Sequence, residues 1–170
     1  MRNFSIRLSQ IGKLKQEERE IISLLKSFAV EIETLFDHYM KHFGWLIEEN
    51  GITNGLRSHF VADQEYMGVF KANAHQIGKV KSDHLRKLIL QTYHATGSLL
   101  DTFRVNNLLL DECNSVKQQT LIHDQNQALI NLLKEKEGNM LKYAPTITHI
   151  HKSYCEMVPL VLKELRAEIK

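Results

Sequence analysis

The chain has 170 residues, 43% of them hydrophobic, with 22 Lys and Arg against 20 Asp and Glu. A net charge of +2 is too small to require a nucleic-acid partner, and the length suits one domain over residues 1–170. The two cysteines, Cys113 and Cys155, form no C-x-x-C motif, which is typical of a protein in a reducing compartment. No run approaches the ~20 apolar residues that span a bilayer. We therefore expect a cytoplasmic, all-α protein with no membrane span.

Apolar residues with heptad spacing predict one long first helix over residues 10–49. Alternating steps of three and four residues keep this seam on one helix face. The apolar stripe is narrow before Glu20 and wide after it, so the early turns should be exposed and the later turns should be core. Asn50-Gly51 predicts the helix end. The seam consists of Ile11, Leu14, Glu18, Ile21, Leu25, Phe28, Ile32, Leu35, Tyr39, His42 and Leu46.

After a loop at residues 52–62, Asp63 is expected to cap a short second helix that closes at Gly78. A third helix should begin at Ser82 and continue to residue 137, with any bend or break in the polar stretch 111–119. Ala144-Pro145 then predicts the start of a final helix that bends at Pro159. The predicted fold is an elongated helical bundle with two long helices, one short helix and this bent C-terminal helix.

Nine histidines raise the hypothesis of a metal site in the bundle core. However, the Glu-x-x-His motif that helical bundles use for such sites is missing, so the sequence predicts neither a metal nor another cofactor. His42 lies on the seam and is expected to be a buried core residue, whereas His38 should lie at the surface. The weak candidates for metal ligands are His38, His42, His149 and His151.

Five polar residues on or beside the apolar stripes are predicted to be structural. A buried polar group must find a hydrogen-bond partner or cost roughly 1–3 kcal/mol, so such residues tend to fix how helices pack. The alternative is that they line a ligand pocket. The five are Asn73, Thr92, Thr96, Asn106 and Asn107.

Basic residues collect around the turn between the second and third predicted helices. A patch of this kind suits phosphate groups or an acidic protein surface. No aromatic residues are interleaved for base stacking, so a solvated charged face is the favoured interpretation. The patch consists of Lys71, Lys79, Lys81, Arg86 and Lys87.

Three stretches between Glu65 and Cys113 resemble a group of small uncharacterised bacterial proteins. The stretches are E-Y-M-G-V-F-K-A-N-A-H-Q-I-G, D-H-L-R-K-L-I-L-Q-T-Y and L-L-D-T-F-R-V-N-N-L-L-L-D-E-C, and E-I-x-x-L at Glu31 to Leu35 is similar as well. The likeness covers about a third of the chain. Many members carry an upstream membrane helix that this sequence does not show. The group has no known activity, so the resemblance implies a bacterial origin and no particular chemistry.

The sequence contains no nucleophile elbow and no phosphate-binding loop, and it identifies no catalytic residue. An active site assembled from distant residues would leave no local motif, so enzymatic activity stays open. The favoured hypothesis is a non-enzymatic helical interaction or assembly module, whose partner is itself or another helical protein. Its alternatives are a small-ligand or metal-binding sensor in the bundle core, and a weak nucleic-acid or membrane-surface binder.

Overall fold

The computed structural model of the protein describes residues 2–53, 55–61, 66–123 and 126–170, and these ranges are mostly helical, with no strand. The predicted all-α class is therefore confirmed. Within the described ranges, no helix has the length and apolar character needed to cross a membrane. The elements in chain order are α1 (Arg2–Tyr39), a π-helical turn (Met40–Gly44), α2 (Trp45–Asn50), α3 (Gly68–Asn73), a 3₁₀ segment (Ala74–Lys79), α4 (Asp83–Ile122) and α5 (Gln127–Glu168).

The first helical run is continuous from Arg2 to Asn50, as the heptad spacing predicts, although it starts earlier than residue 10. It ends at Gly51, whose backbone φ of +52° is a conformation that glycine adopts without a Cβ clash. The π turn interrupts the seam. Its i→i+5 hydrogen bonds insert one extra residue, so the residues that follow rotate away from the heptad pattern.

The start of α4 agrees with the predicted cap, because Ser82 Oγ accepts a 3.2 Å hydrogen bond from the Leu85 backbone N–H. The second helix is present as α3 and the 3₁₀ segment, and its predicted cap, Asp63, lies outside the described residues.

The predicted boundaries after residue 111 are wrong. No break occurs in residues 111–119, because Leu110, Cys113 and Val116 keep a buried face at helical spacing. Instead α4 ends at Ile122, and Asn126 Oδ1 caps α5 by accepting the N–H groups of residues 128 and 129 at 3.0 and 3.3 Å.

α5 continues without a break past residue 137, where the third helix was predicted to end, and through Pro145, where the final helix was predicted to begin. Both Pro145 and Pro159 are exposed, so each lost helical hydrogen bond is on a side of α5 that water reaches. Pro159 lies inside the final helix as expected, and the bend there stays a prediction.

The structure divides into two compact units, and each is described separately. Unit 1 contains the described residues of Met1–Phe36, Tyr66–Tyr93 and Val158–Lys170. Phe70 stacks on Tyr93 with ring centroids 3.9 Å apart, and Phe28 meets Tyr93 edge-on at 5.9 Å. The buried aliphatic side chains of unit 1 are Leu24, Leu25, Ile32, Ile77, Val80, Leu85, Leu88, Ile89, Val158, Val161, Leu162 and Leu165.

Unit 2 contains the described residues of Asp37–Glu65 and His94–Met157. Phe60 stacks on Phe103 at 4.7 Å, and Tyr39 meets Tyr154 edge-on at 5.6 Å. The buried aliphatic and sulfur-containing side chains are Ile47, Ile52, Leu56, Leu99, Leu100, Leu110, Cys113, Val116, Met140, Ala144 and Ile147. Two of these, Ile52 and Leu56, come from the irregular residues 52–53 and 55–61, which also contribute the buried Phe60. A segment predicted to be a loop therefore supplies part of the core.

Candidate functional site

Unit 2 brings three potential metal ligands together. They are Glu48 on α2 and, one turn apart on α5, His151 and Cys155. One carboxylate oxygen, one imidazole nitrogen and the sulfur all lie within 4.8 Å of one another. The three differ in exposure: His151 is buried, Cys155 is half-buried and Glu48 is exposed. The group is therefore anchored in the core and open to solvent on one side.

The contacts that His151 makes within this Glu48–His151–Cys155 cluster are long. Glu48 Oε1 is 3.6 Å from His151 Nε2. The sulfur of Cys155 is 3.7 Å from His151 Nδ1 and 3.8 Å from Nε2. Because these two distances are nearly equal, the sulfur lies beside or above the ring and not along the lone pair of either nitrogen.

Two residues at the junction of α1 and the π turn support the cluster. Tyr39 Oη is 2.7 Å from His151 Nδ1, which fixes the orientation of the imidazole ring. Met40 Sδ is 3.7 Å from Cys155 Sγ. A Cβ atom built on Gly44 would lie 2.4 Å from Met40 Sδ, so only glycine leaves room for this thioether position. Single π turns inside α-helices often occur at functional sites.

Burial shifts the protonation equilibria of the cluster. Desolvation lowers the pKa of His151, and the nearby Glu48 carboxylate only partly opposes this, so the imidazole is neutral at pH 7. Desolvation also raises the pKa of the Cys155 thiol to about 11, with the negative charge of Glu48 adding to the shift. A thiol that stays protonated at neutral pH is a poor nucleophile, so the cluster does not resemble a Cys-His catalytic pair.

A cavity of about 440 Å³ adjoins the cluster. Since all three cluster residues lie in its wall, a ligand in the cavity could reach each of them. Its lining consists of Ile47, Glu48, Thr148, His151, Lys152, Cys155 and Glu156.

Of the four histidines predicted as metal candidates, only His151 belongs to the cluster. His149 and His38 are exposed, the latter as predicted. The prediction that His42 is a buried core residue is wrong: it is exposed, with its ring 4.5 Å from that of His38. The π turn is the physical reason, because its extra residue rotates His42 off the seam.

The predicted structural polar residues all have backbone partners or are buried. Thr92 Oγ1 donates to the Leu88 carbonyl at 2.8 Å, and Asn73 Nδ2 donates to the Val69 carbonyl at 2.8 Å. Thr96 is buried in unit 2.

Two adjacent asparagines of α4 hold the irregular segment at residues 55–61. Asn106 Nδ2 donates to the Leu56 carbonyl at 3.1 Å. Asn107 donates to the Phe60 carbonyl at 2.6 Å and accepts from the Phe60 N–H at 3.1 Å. The Asn107 side chain thus pairs with both the N–H and the C=O of Phe60, as the backbone of a neighbouring β-strand would.

Within the predicted basic patch, four lysines are exposed: Lys71, Lys79, Lys81 and Lys87. Arg86 is half-buried, and its side chain bonds to the backbone of the turn. It donates to the carbonyls of Gly78 and Val80 at 3.3 and 3.1 Å and pairs with Asp83. Of the five basic residues, Arg86 therefore has a structural role in the turn.

A second feature lies on α1 in unit 1. Every side chain from Gln10 to Glu20 is exposed, including Ile11 at 50% and Leu14 at 64%. The apolar stripe then enters a cleft of about 300 Å³. The cleft is lined by Leu14, Glu17, Glu18, Ile21, Ile22, Leu25, Lys81 and Glu168.

Comparisons of the chain with protein-family models, with curated proteins and with solved structures found no match. Function is therefore inferred from the geometry of this chain alone.

Sequence reasoning found one member of the cluster, His151, and missed the other two. The spacing of His151 and Cys155 by four residues on one helix was a usable signal, since such residues share a face. Glu48 carries no comparable signal, because it lies more than 100 positions away from its neighbours in the cluster.

Proposed function

We propose that this protein is a non-enzymatic helical assembly module that pairs with a second copy of itself through α1. The observation that supports the proposal most strongly is the exposed stretch from Gln10 to Glu20, whose apolar side chains Ile11 and Leu14 are 50% and 64% exposed. In proteins most helical stability comes from packing of an amphipathic face, so an extension whose apolar stripe is exposed gains stability from a partner.

The pairing surface we infer consists of Ile11, Leu14, Ile21 and Ile22. The first two are exposed and the other two are half-buried at the cleft. Full burial of such a side chain contributes roughly 1.5–3 kcal/mol, while association costs an estimated 4–15 kcal/mol. We therefore expect a reversible dimer with a Kd of roughly micromolar order and not a permanent one.

The order of charges along this stretch supports a second copy in antiparallel orientation. Lys13 and Lys15 precede the seam position Glu18, and Glu20 follows it. A two-fold axis between residues 16 and 17 would bring Lys15 opposite Glu18 of the second copy, while Lys13 and Glu20, on the outer face of the helix, add to the same attraction at longer range. A parallel pair would instead align like charges, which is destabilising.

Two further aspects complete the proposal. Both cysteines are free thiols, which supports a reducing compartment such as the cytoplasm. The resemblance of residues 65–113 to small bacterial proteins supports a bacterial origin.

Sedimentation velocity of the full chain from 1 to 200 µM, a range of roughly two decades around the expected Kd, tests the assembly. Lys13→Glu with Lys15→Glu makes the charges of the stretch acidic apart from Arg19, and Glu18→Lys with Glu20→Lys makes them basic apart from Glu17. Each double variant alone should be monomeric because like charges then face each other. An equimolar mixture should restore the dimer.

The matched control reverses two exposed lysines of α5, Lys134→Glu with Lys142→Glu, and should dimerise like the wild type. A wild type that stays monomeric throughout would contradict the proposal. A dimer that neither double variant weakens would place the interface elsewhere and equally refute it.

A further inference from the structure

We propose that Glu48, His151 and Cys155 form a binding site for a divalent transition-metal ion, with Zn²⁺ as the best-fitting ion. This inference goes beyond the assembly role, and it rests on residues of unit 2 that the proposed α1 pairing surface does not use.

Two of the three separations in the cluster, those that involve His151 Nε2, are close to those that a tetrahedral ion imposes, and the third is within 4.8 Å. Zn–N and Zn–O bonds of about 2.0–2.1 Å and a Zn–S bond of about 2.3 Å place nitrogen and oxygen ligands about 3.4 Å apart, and sulfur and nitrogen about 3.6 Å apart. The observed Nε2–Oε1 and Sγ–Nε2 distances are 3.6 and 3.8 Å. Small side-chain rotations, mainly at Cys155 to bring the sulfur toward the Nε2 lone pair, complete the arrangement.

The donor types select the class of ion. Thiolate, imidazole and carboxylate together are the ligands that Zn²⁺ takes in proteins, whereas Ca²⁺ and Mg²⁺ prefer oxygen ligands throughout. Three protein ligands with one open position are typical of sites that exchange a bound water or small molecule. Here the open position would face the 440 Å³ cavity.

The surroundings of His151 also suit a ligand. Metal-binding histidines usually use their second nitrogen in a hydrogen bond that fixes ring orientation. The Tyr39 hydroxyl, 2.7 Å from Nδ1, fills this place and leaves Nε2 facing Glu48. Since Glu48 lies on α2 and the other two ligands on α5, a bound ion would also cross-link these helices.

The test uses the full chain without an affinity tag, stripped of metal by a chelator and kept reduced. Zn²⁺ is titrated in competition with a chromophoric chelator, and Co²⁺ is added as a spectroscopic probe of thiolate ligation. We expect one ion per chain, a thiolate-to-cobalt absorption band, and a higher melting temperature with Zn²⁺, because binding to the folded state stabilises it.

Cys155→Ser and Glu48→Gln change the donors while preserving side-chain shape. Cys155→Ser should weaken Zn²⁺ binding by more than roughly 100-fold, the upper end for loss of a mere supporting partner, and remove the cobalt band. Tyr39→Phe should weaken it roughly 10-fold. The matched controls are Cys113→Ser, at the buried second cysteine, and His149→Gln, at an exposed neighbour on the same helix.

Less than about one ion per ten chains bound at micromolar Zn²⁺ would overturn the proposal, since a site with these donors binds more tightly. Binding that survives Cys155→Ser but is lost when His38 and His42 are replaced by Gln would do the same, because it would assign the ion to the exposed histidine pair. Leu14→Ala should leave Zn²⁺ binding unchanged, which separates this result from the assembly experiment.

Discussion

The hydroxyl of Tyr93 donates a 2.7 Å hydrogen bond to Glu31 Oε2, which joins α4 to α1 inside unit 1. The same carboxylate accepts the backbone N–H groups of Val69 and Phe70 at 2.7 and 3.0 Å, in the first turn of α3. One side chain of α1 thus positions both a short helix and a long one. Hydrogen bonds to a charged group contribute about 1.5–3 kcal/mol each, more than neutral ones.

Glu31→Gln should therefore lower the free energy of unfolding by roughly 2–3 kcal/mol, because an amide N–H₂ replaces one acceptor oxygen and faces donors. Chemical denaturation monitored by circular dichroism measures the change. Glu33→Gln is the matched control, since its exposed ion pair with Arg166 should contribute no more than about 1 kcal/mol. Equal losses in the two variants would contradict the role given to Glu31.

Asn107→Ala should release the segment at residues 55–61 from α4. The change removes both hydrogen bonds to the Phe60 backbone, and we expect a loss of roughly 2 kcal/mol, about 1 kcal/mol per bond. Hydrogen exchange should show faster exchange at the Phe60 amide. Asn114→Ala, at an exposed position of the same helix, is the control. An unchanged Phe60 exchange rate would show that the hydrogen bonds of Asn107 do not hold the segment.

Ile32→Ala should cost ~2–5 kcal/mol, because Ile32 is only 2% exposed and its truncation leaves a cavity. Leu14→Ala should cost the monomer little and should weaken assembly, since Leu14 is 64% exposed. Thermal melts at several protein concentrations separate the two effects. A loss for Leu14→Ala as large as that of Ile32→Ala and independent of concentration would show that early α1 is core after all.

The stability of the protein should fall between pH 10 and pH 12. Burial raises the pKa of Tyr154 to about 12, against an ordinary value of 10.0, although a hydrogen bond with Thr96 partly opposes the shift. Below pH 10 the phenol is protonated in both states. Above it, the unfolded chain loses the proton first, so roughly 2–3 kcal/mol is lost by pH 12.

Tyr154→Phe should reduce this alkaline loss, although burial also raises the pKa of Tyr39 and leaves part of it. Melting temperatures from pH 8 to 12 provide the measurement, and Tyr143→Phe, at a half-buried tyrosine of the same helix, is the control. If Tyr154→Phe follows the wild-type curve throughout, ionisation of Tyr154 does not drive the unfolding.

The helical class, the cap at Ser82 and the division of α1 into exposed and buried parts follow from local patterns. Phe28 and Ile32 are buried as the wide apolar stripe predicts, whereas Leu35 is only half-buried. Hydrophobic periodicity reports which face of a helix is covered, so it succeeds wherever the helix is regular.

Hydrophobic periodicity fails where tertiary contacts determine the ends of a helix or the position of a side chain. Gly138 and Pro145 are ordinary stop and start signals, but Met140, Ala144 and Ile147 are buried at helical spacing and keep α5 continuous through them. Asn126, which caps α5, has polar neighbours in the sequence, so no local pattern distinguishes it as a cap. Likewise, the Glu48–His151–Cys155 cluster depends on a tertiary contact that no local spacing contains.

The π turn has a consequence for how the cluster would be recognised in relatives of this chain. Deleting one residue between Lys41 and Phe43 would turn the segment into regular α-helix and rotate everything after it by about 100°. Glu48 would then leave the side of α2 that faces His151, although every ligand would still be present in the sequence. Conserved spacing between Tyr39 and Glu48, more than the identity of any single ligand, is therefore the sequence signature by which other chains with this cluster would be found.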